Sequence, residues 1–93
     1  MTQSRLLEIR RRLTRALSPM TLEISDDSHL HVGHAGAQDG RGHFSVRIVS
    51  PSFAGAGRLQ RHRMVYKALD ELMQSDIHAL AIEALAPEEA EEV

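Results

Sequence analysis

The sequence predicts an α+β fold, a single domain in which a three-stranded mixed sheet carries helices packed on one face. Three observations predict it. Apolar residues recur at helical spacing in two segments and alternate with polar residues in three others. These segments run in the order helix, strand, strand, helix, strand. The chain has 93 residues, and a chain of this size buries about two thirds of its unfolded surface, enough for one modest core.

The first helix is predicted over residues 4–17. Leu6, Ile9, Leu13, Ala16 and Leu17 form its apolar stripe with the stem of Arg10, while Arg5, Arg11, Arg12 and Arg15 occupy other faces. Ser18-Pro19 ends it, because the residue before proline is pushed towards extended backbone. Met20, Leu22 and Ile24 then alternate with Thr21, Glu23 and Ser25, the pattern of a half-buried strand. Asp26-Asp27-Ser28 supplies turn-forming side chains.

Residues 29–42 hold four glycines and three histidines, with Leu30 and Val32 the only core-sized side chains, and read as a long loop. From His43 to Ser50 runs the clearest strand, with Phe44, Val46 and Ile48 on one face and Ser45, Arg47 and Val49 on the other. Pro51 and the run Phe53-Ala54-Gly55-Ala56-Gly57 make a second loop. A long helix follows over residues 58–74, with Leu59, Val65, Tyr66, Leu69, Leu72 and Met73 as its buried face. Residues 75–78 turn the chain into a third strand, Ala79 to Leu85, anchored by Leu80 and Ile82 and stopped by Pro87. The first two strands pair antiparallel across the loop. The third follows a crossover helix and is expected to lie parallel to its neighbour.

Composition narrows the function classes. Hydrophobic residues make up 42% of the chain with two phenylalanines, one tyrosine and no tryptophan, so aliphatic side chains must fill the core. The formal charge is −2, but residues 1–87 carry eleven basic and nine acidic residues. The domain is therefore placed at residues 1–87, with residues 88–93 expected to form a disordered acidic tail. The weakly basic body falls short of the footprint of a dedicated DNA binder. There is no cysteine, which excludes a disulfide framework and fits a reducing compartment such as the cytoplasm. No apolar run approaches membrane-spanning length. The arginine-rich start imitates a mitochondrial presequence, but its helical repeat reads better as the first helix of the fold. No nucleophile elbow, phosphate-binding loop or dinucleotide fingerprint is present, so the protein is read as a non-enzyme.

The six histidines carry most of the chemistry. With no thiol in the chain, imidazole is its only borderline-soft metal ligand, and any iron-sulfur chemistry must take thiolates from a partner. His29, His31 and His34 spell H-x-H-x-x-H, which lacks the helical spacing and following carboxylate base of a zinc protease. His29 and His31 read as surface residues or secondary ligands. His78 stands alone at the mouth of an apolar strand, where a histidine is ordinarily structural. Arg58, Arg61, His62, Arg63 and Lys67 sit on the second helix, most of them near its start, where cations oppose the helix dipole. They are either a solvated face or a contact for an anionic partner, such as phosphate or an acidic protein patch.

Five stretches, in order, are SP after the first helix, DDSHLHVGHAG, HFSVRIVSPSFAG, LQRHRMVYKALDEL and IHALAIEALAP. Together they make the chain resemble the BolA-like proteins over about residues 5–87. The resemblance implies an αββαβ sandwich related to the type II K-homology domain. It also implies a monothiol glutaredoxin partner and a bridging [2Fe-2S] cluster shared with that partner and glutathione, with no cofactor in the isolated protein. The ligands carried over are His78 and, from the loop where family members place histidine or cysteine, His34. Two imidazoles on one iron would raise its reduction potential relative to thiolates. The apo protein is expected to be a monomer or weak homodimer. The family also implies a second picture, a DNA-binding transcriptional regulator that holds the basic helix 58–74 against DNA. The K-homology G-x-x-G loop with basic residues inside it is absent, so fold kinship alone does not imply RNA binding.

Overall fold

Ile9, Leu13 and Leu17 recur at every fourth position of α1 (Thr2–Leu17) and are all buried. The computed structural model describes residues 2–28 and 42–91. Arg10 and Ala16, expected on the apolar stripe, are exposed, since the spacing of four keeps one narrow row against the sheet. The helix closes through Ser18, whose φ of 44° is left-handed and not extended, and whose N–H reaches the Thr14 carbonyl at 3.1 Å.

Three strands follow the predicted order. β1 (Thr21–Asp26) pairs antiparallel with β2 (Gly42–Val49), and β2 pairs parallel with β3 (Ile77–Leu85). β2 is therefore central. Its row Phe44, Val46 and Ile48 lies under the helices, between Ile24 and Leu22 on one side and Leu80, Ile82 and Ala84 on the other. The opposite face carries Glu23, Ser45, Arg47 and Glu83, with Arg47 bonded to Glu83 at 3.3 Å.

The segment read as a plain loop after β2 contains a short 3-10 turn, Pro51–Phe53, that buries Phe53 completely. Ser50 organises this corner from a fully buried position. Its hydroxyl donates to the Leu17 carbonyl at 2.5 Å and accepts from the Ser52 N–H, while its own N–H bonds the Leu85 carbonyl at 2.9 Å. One serine thus joins the ends of α1 and β3 to the turn.

The single helix expected over 58–74 is two, α2 (Arg58–Leu69) and α3 (Leu72–Ser75). The break is at Asp70, with φ 51° and ψ −123°. It turns Leu72 back into the core, and Arg12 donates to the Leu69 carbonyl at 3.0 Å, neutralising the helix end. Val65 and Leu69 are the fully buried residues of α2. Leu59 and Tyr66, also expected in the core, lie roughly 60–120° round the helix from them at 100° per residue and are 64% and 41% exposed.

The tail expected to be disordered over residues 88–93 is helical as far as residue 91, and residues 92–93 lie outside the described residues. Pro87–Glu91 forms a further helix, α4. Proline opens it, and the Glu89 carboxylate reaches back to the Ala86 N–H at 2.7 Å, half of a capping box. Arg61 then grips the same carboxylate at 2.6 and 3.2 Å. Among the described residues no helix is long and apolar enough to cross a membrane.

Candidate functional site

The most informative local feature is an irregularity in the parallel ladder. Gly42 faces Ile77 and His43 faces Ala79, so His78 is an extra residue with no opposite number on β2. Such a bulge bends the strand and re-aims the side chain of the extra residue. The register on the C-terminal side stays regular, which keeps Leu80 and Ile82 against the core. His78 itself is exposed.

Its neighbour is His43, which the sequence reading treated as the start of a strand and not as part of a site. The two rings lie 5.1 Å apart between centroids at an angle of 49°. His43 is 8% exposed, and both ring nitrogens are out of contact with solvent. Its parity with Ser45 and Arg47 was legible, but the bulge that brings it beside His78 was not.

This end of the sheet is firmly tied. The Asp27 N–H bonds the His43 carbonyl at 2.7 Å, and the His43 N–H bonds the Ser28 hydroxyl at 3.0 Å. The Asp27 carboxylate accepts from the hydroxyls of Ser25 and Ser45. The Gly42 N–H reaches the Asp76 carbonyl at 2.9 Å, and Arg5 bonds the Asp76 carboxylate at 3.2 Å. Gly42 cannot carry a side chain here, because a Cβ would stand 2.6 Å from the buried Phe44 ring.

His34, the other expected ligand, and His29 and His31 lie outside the described residues. Among the described residues no group of three or more histidines, cysteines, aspartates and glutamates is placed to hold a metal ion. His78 presents one exposed imidazole, which alone does not make a metal site; imidazole is a borderline-soft donor that can join thiolates on one metal. Imidazole binds metal in its neutral form, so such binding weakens on protonation.

The basic helix divides. Arg61, expected among the partner-facing cations, turns inward with its side chain 13% exposed. It donates to the Ala56 carbonyl at 2.8 Å and the Ala84 carbonyl at 3.0 Å, besides Glu89. The charged grip of Arg61, helped by the Ala86 N–H, holds the Glu89 carboxyl below its ordinary range. His62 is half-buried and meets Tyr66 edge-on at 6.5 Å. Arg58, Arg63 and Lys67 remain exposed.

Comparison with known proteins adds the following. Residues 13–89 match the model of the BolA-like protein family. The chain is 42% identical to SufE-like protein 1, chloroplastic/mitochondrial, of Arabidopsis thaliana over 92% of its own length, and spans 24% of that longer protein. It is 36% identical to the DNA-binding transcriptional regulator BolA of Haemophilus influenzae, with 87% of this chain and 76% of that protein aligned. The solved BolA domain of SufE1 from Arabidopsis thaliana superposes with a TM-score of 0.82 at 42% identity, covering 92% of this chain and 95% of that one.

Proposed function

The chain belongs to the BolA-like family, and from that premise we propose that it is a non-catalytic adaptor in iron-sulfur trafficking. It pairs with a monothiol glutaredoxin and contributes His78 and His34 to a [2Fe-2S] cluster bridging the two proteins. The observation that carries the reading is the exposed imidazole of His78, set out of the ladder by a bulge at the tied end of the sheet. The donor set fits such a cluster. This chain supplies imidazole and no thiolate, and the partner's cysteine and glutathione complete the iron coordination. When bound, the cluster supplies redox and transfer chemistry; the chain orients one imidazole and shields the histidine behind it.

The test is anaerobic reconstitution with a monothiol glutaredoxin, glutathione, iron and sulfide, followed by visible absorption and circular dichroism. The expected result is a heterodimer whose spectrum differs from that of the glutaredoxin alone. His78→Ala and His34→Ala, singly and together, are expected to shift or abolish that spectrum with the far-UV signal unchanged. An unaltered holo-spectrum in the double variant overturns the ligand assignment.

A second reading, as a DNA-binding regulator, is favoured by the name of the Haemophilus relative and by the exposed Arg58, Arg63 and Lys67 on α2. Arg61 leaves that surface, since its guanidinium is bonded within the fold. The reading expects salt-sensitive DNA affinity that falls when Arg58 and Arg63 become alanine. Equal, weak binding to every sequence that vanishes at physiological salt counts against it.

A further inference from the structure

Charge is sorted in this fold. α1 and α2 carry nine of the eleven lysines and arginines and one of the thirteen carboxylates, a net of +8, which leaves −10 on the rest of the chain. Some of these cations are engaged internally: Arg5 with Asp76, Arg11 and Arg12 with Glu8, and Arg61 with Glu89. Arg15 and Lys67 are exposed and make no ion pair among the described residues.

These two side chains flank a groove of about 500 Å³ between the C-terminal halves of α1 and α2. Its floor is apolar, with Ala16 and Leu17 from one helix and Met64 and Ala68 from the other. Arg12 lines it too, held in place by Glu8, Glu71 and the Leu69 carbonyl. Asp70 is the one carboxylate lining the groove.

An apolar floor between cationic banks is a mixed surface. A nucleic-acid backbone would find the cations but gain nothing from Met64 and Ala68, and Arg58 and Arg63 offer it bare charge elsewhere on α2. A segment with apolar residues on one side and carboxylates beside them satisfies both parts at once, the helix-in-groove mode of recognition. We propose that this groove docks an acidic amphipathic helix of a partner protein, with its apolar face on Met64 and Ala68 and its carboxylates on Arg15 and Lys67. The groove is on the helical side of the sheet, whereas His43 lies in the row of the opposite face. A helix seated there leaves His78 accessible, so the proposal is independent of the cluster reading.

The test uses a synthetic peptide of about four helical turns, with leucines along one face and glutamates elsewhere. Its controls are a scrambled version that breaks the leucine face, a polyglutamate peptide and a DNA duplex. NMR titration of the full chain locates each probe. The expected result is binding of the amphipathic peptide with shifts centred on the Met64 methyl, Ala16 and Ala68. Arg15→Glu with Lys67→Glu, both at exposed positions, is expected to weaken that binding by about tenfold or more. His78→Ala is expected to leave it unchanged. The proposal is overturned by no shift in the groove at saturating peptide, or by equal binding of the scrambled or polyglutamate peptides. It is equally overturned if the DNA duplex binds the groove more tightly than the amphipathic peptide.

Discussion

At the scale of single residues, the most constrained position beside the candidate site is Gly42. A side chain there has no room, because the atom it meets belongs to the Phe44 ring, buried to 2% exposure in the middle of the core. Gly42→Ala is expected to destabilise the fold by about 1–3 kcal/mol, the usual range for overpacking a core. Chemical denaturation measures it, and unchanged stability would mean that the ring moves freely. The same variant is expected to disturb the His43–His78 pair, since Gly42 stands opposite the start of the bulge. His78 was expected as a ligand through family resemblance alone; its lone position at a strand mouth gave no separate sign of the exposure that the structure shows. His43 was not legible, because adjacency across a parallel ladder depends on register, and a bulge changes register without marking the sequence.

At the scale of elements, the sequence period identified the main helices and all three strands, but not their breaks. Residues 58–74 hold no proline or glycine, so nothing in the local pattern stops the helix at Leu69. The stop comes from tertiary structure: Leu72 gains a buried position, and Arg12 from α1 satisfies the Leu69 carbonyl. The cost falls on Asp70, whose φ of 51° and ψ of −123° match the first corner of a type II′ turn, a glycine position. Asp70→Gly is expected to stabilise the protein by about 1 kcal/mol, as backbone strain relieved exceeds the entropy lost by glycine. A lower unfolding midpoint in that variant would show that the Asp70 side chain contributes more than its backbone costs. The helix at residues 87–91 escaped the sequence pattern for a related reason. Four glutamates look solvated in a sequence, and only the three-dimensional position of Arg61 reveals that one of them is held.

For the whole molecule, the charge sorting also sets the response to acid. Glu8, bonded by Arg11 and Arg12, is held down to about 2 from an ordinary value of 4.5, and Glu89 is lowered by Arg61. Both titrate lower when folded than when unfolded, so their contribution is complete above the ordinary carboxylate value and is lost as pH falls through the folded one. The thermal midpoint is expected to decline below about pH 4.5, and Glu8→Gln with Glu89→Gln to flatten that decline. An equally steep decline in the double variant would place the acid sensitivity elsewhere. The α+β class, the strand order and most of the aliphatic core followed from periodicity. What did not follow was which side chains short helices leave outside, as with Leu59 and Tyr66, because periodicity gives a face and not the width that the sheet covers.

The bulge at His78 also bears on how freely that position can change. Residues on either side of it keep their places in the ladder, Ile77 opposite Gly42 and Ala79 opposite His43. Position 78 is thus supernumerary to the sheet. It lies outside the hydrophobic rows, and its side chain meets the sheet through the ring of His43 on β2. Under the proposed function, one donor atom can replace another at this position while the register on both sides of it is kept.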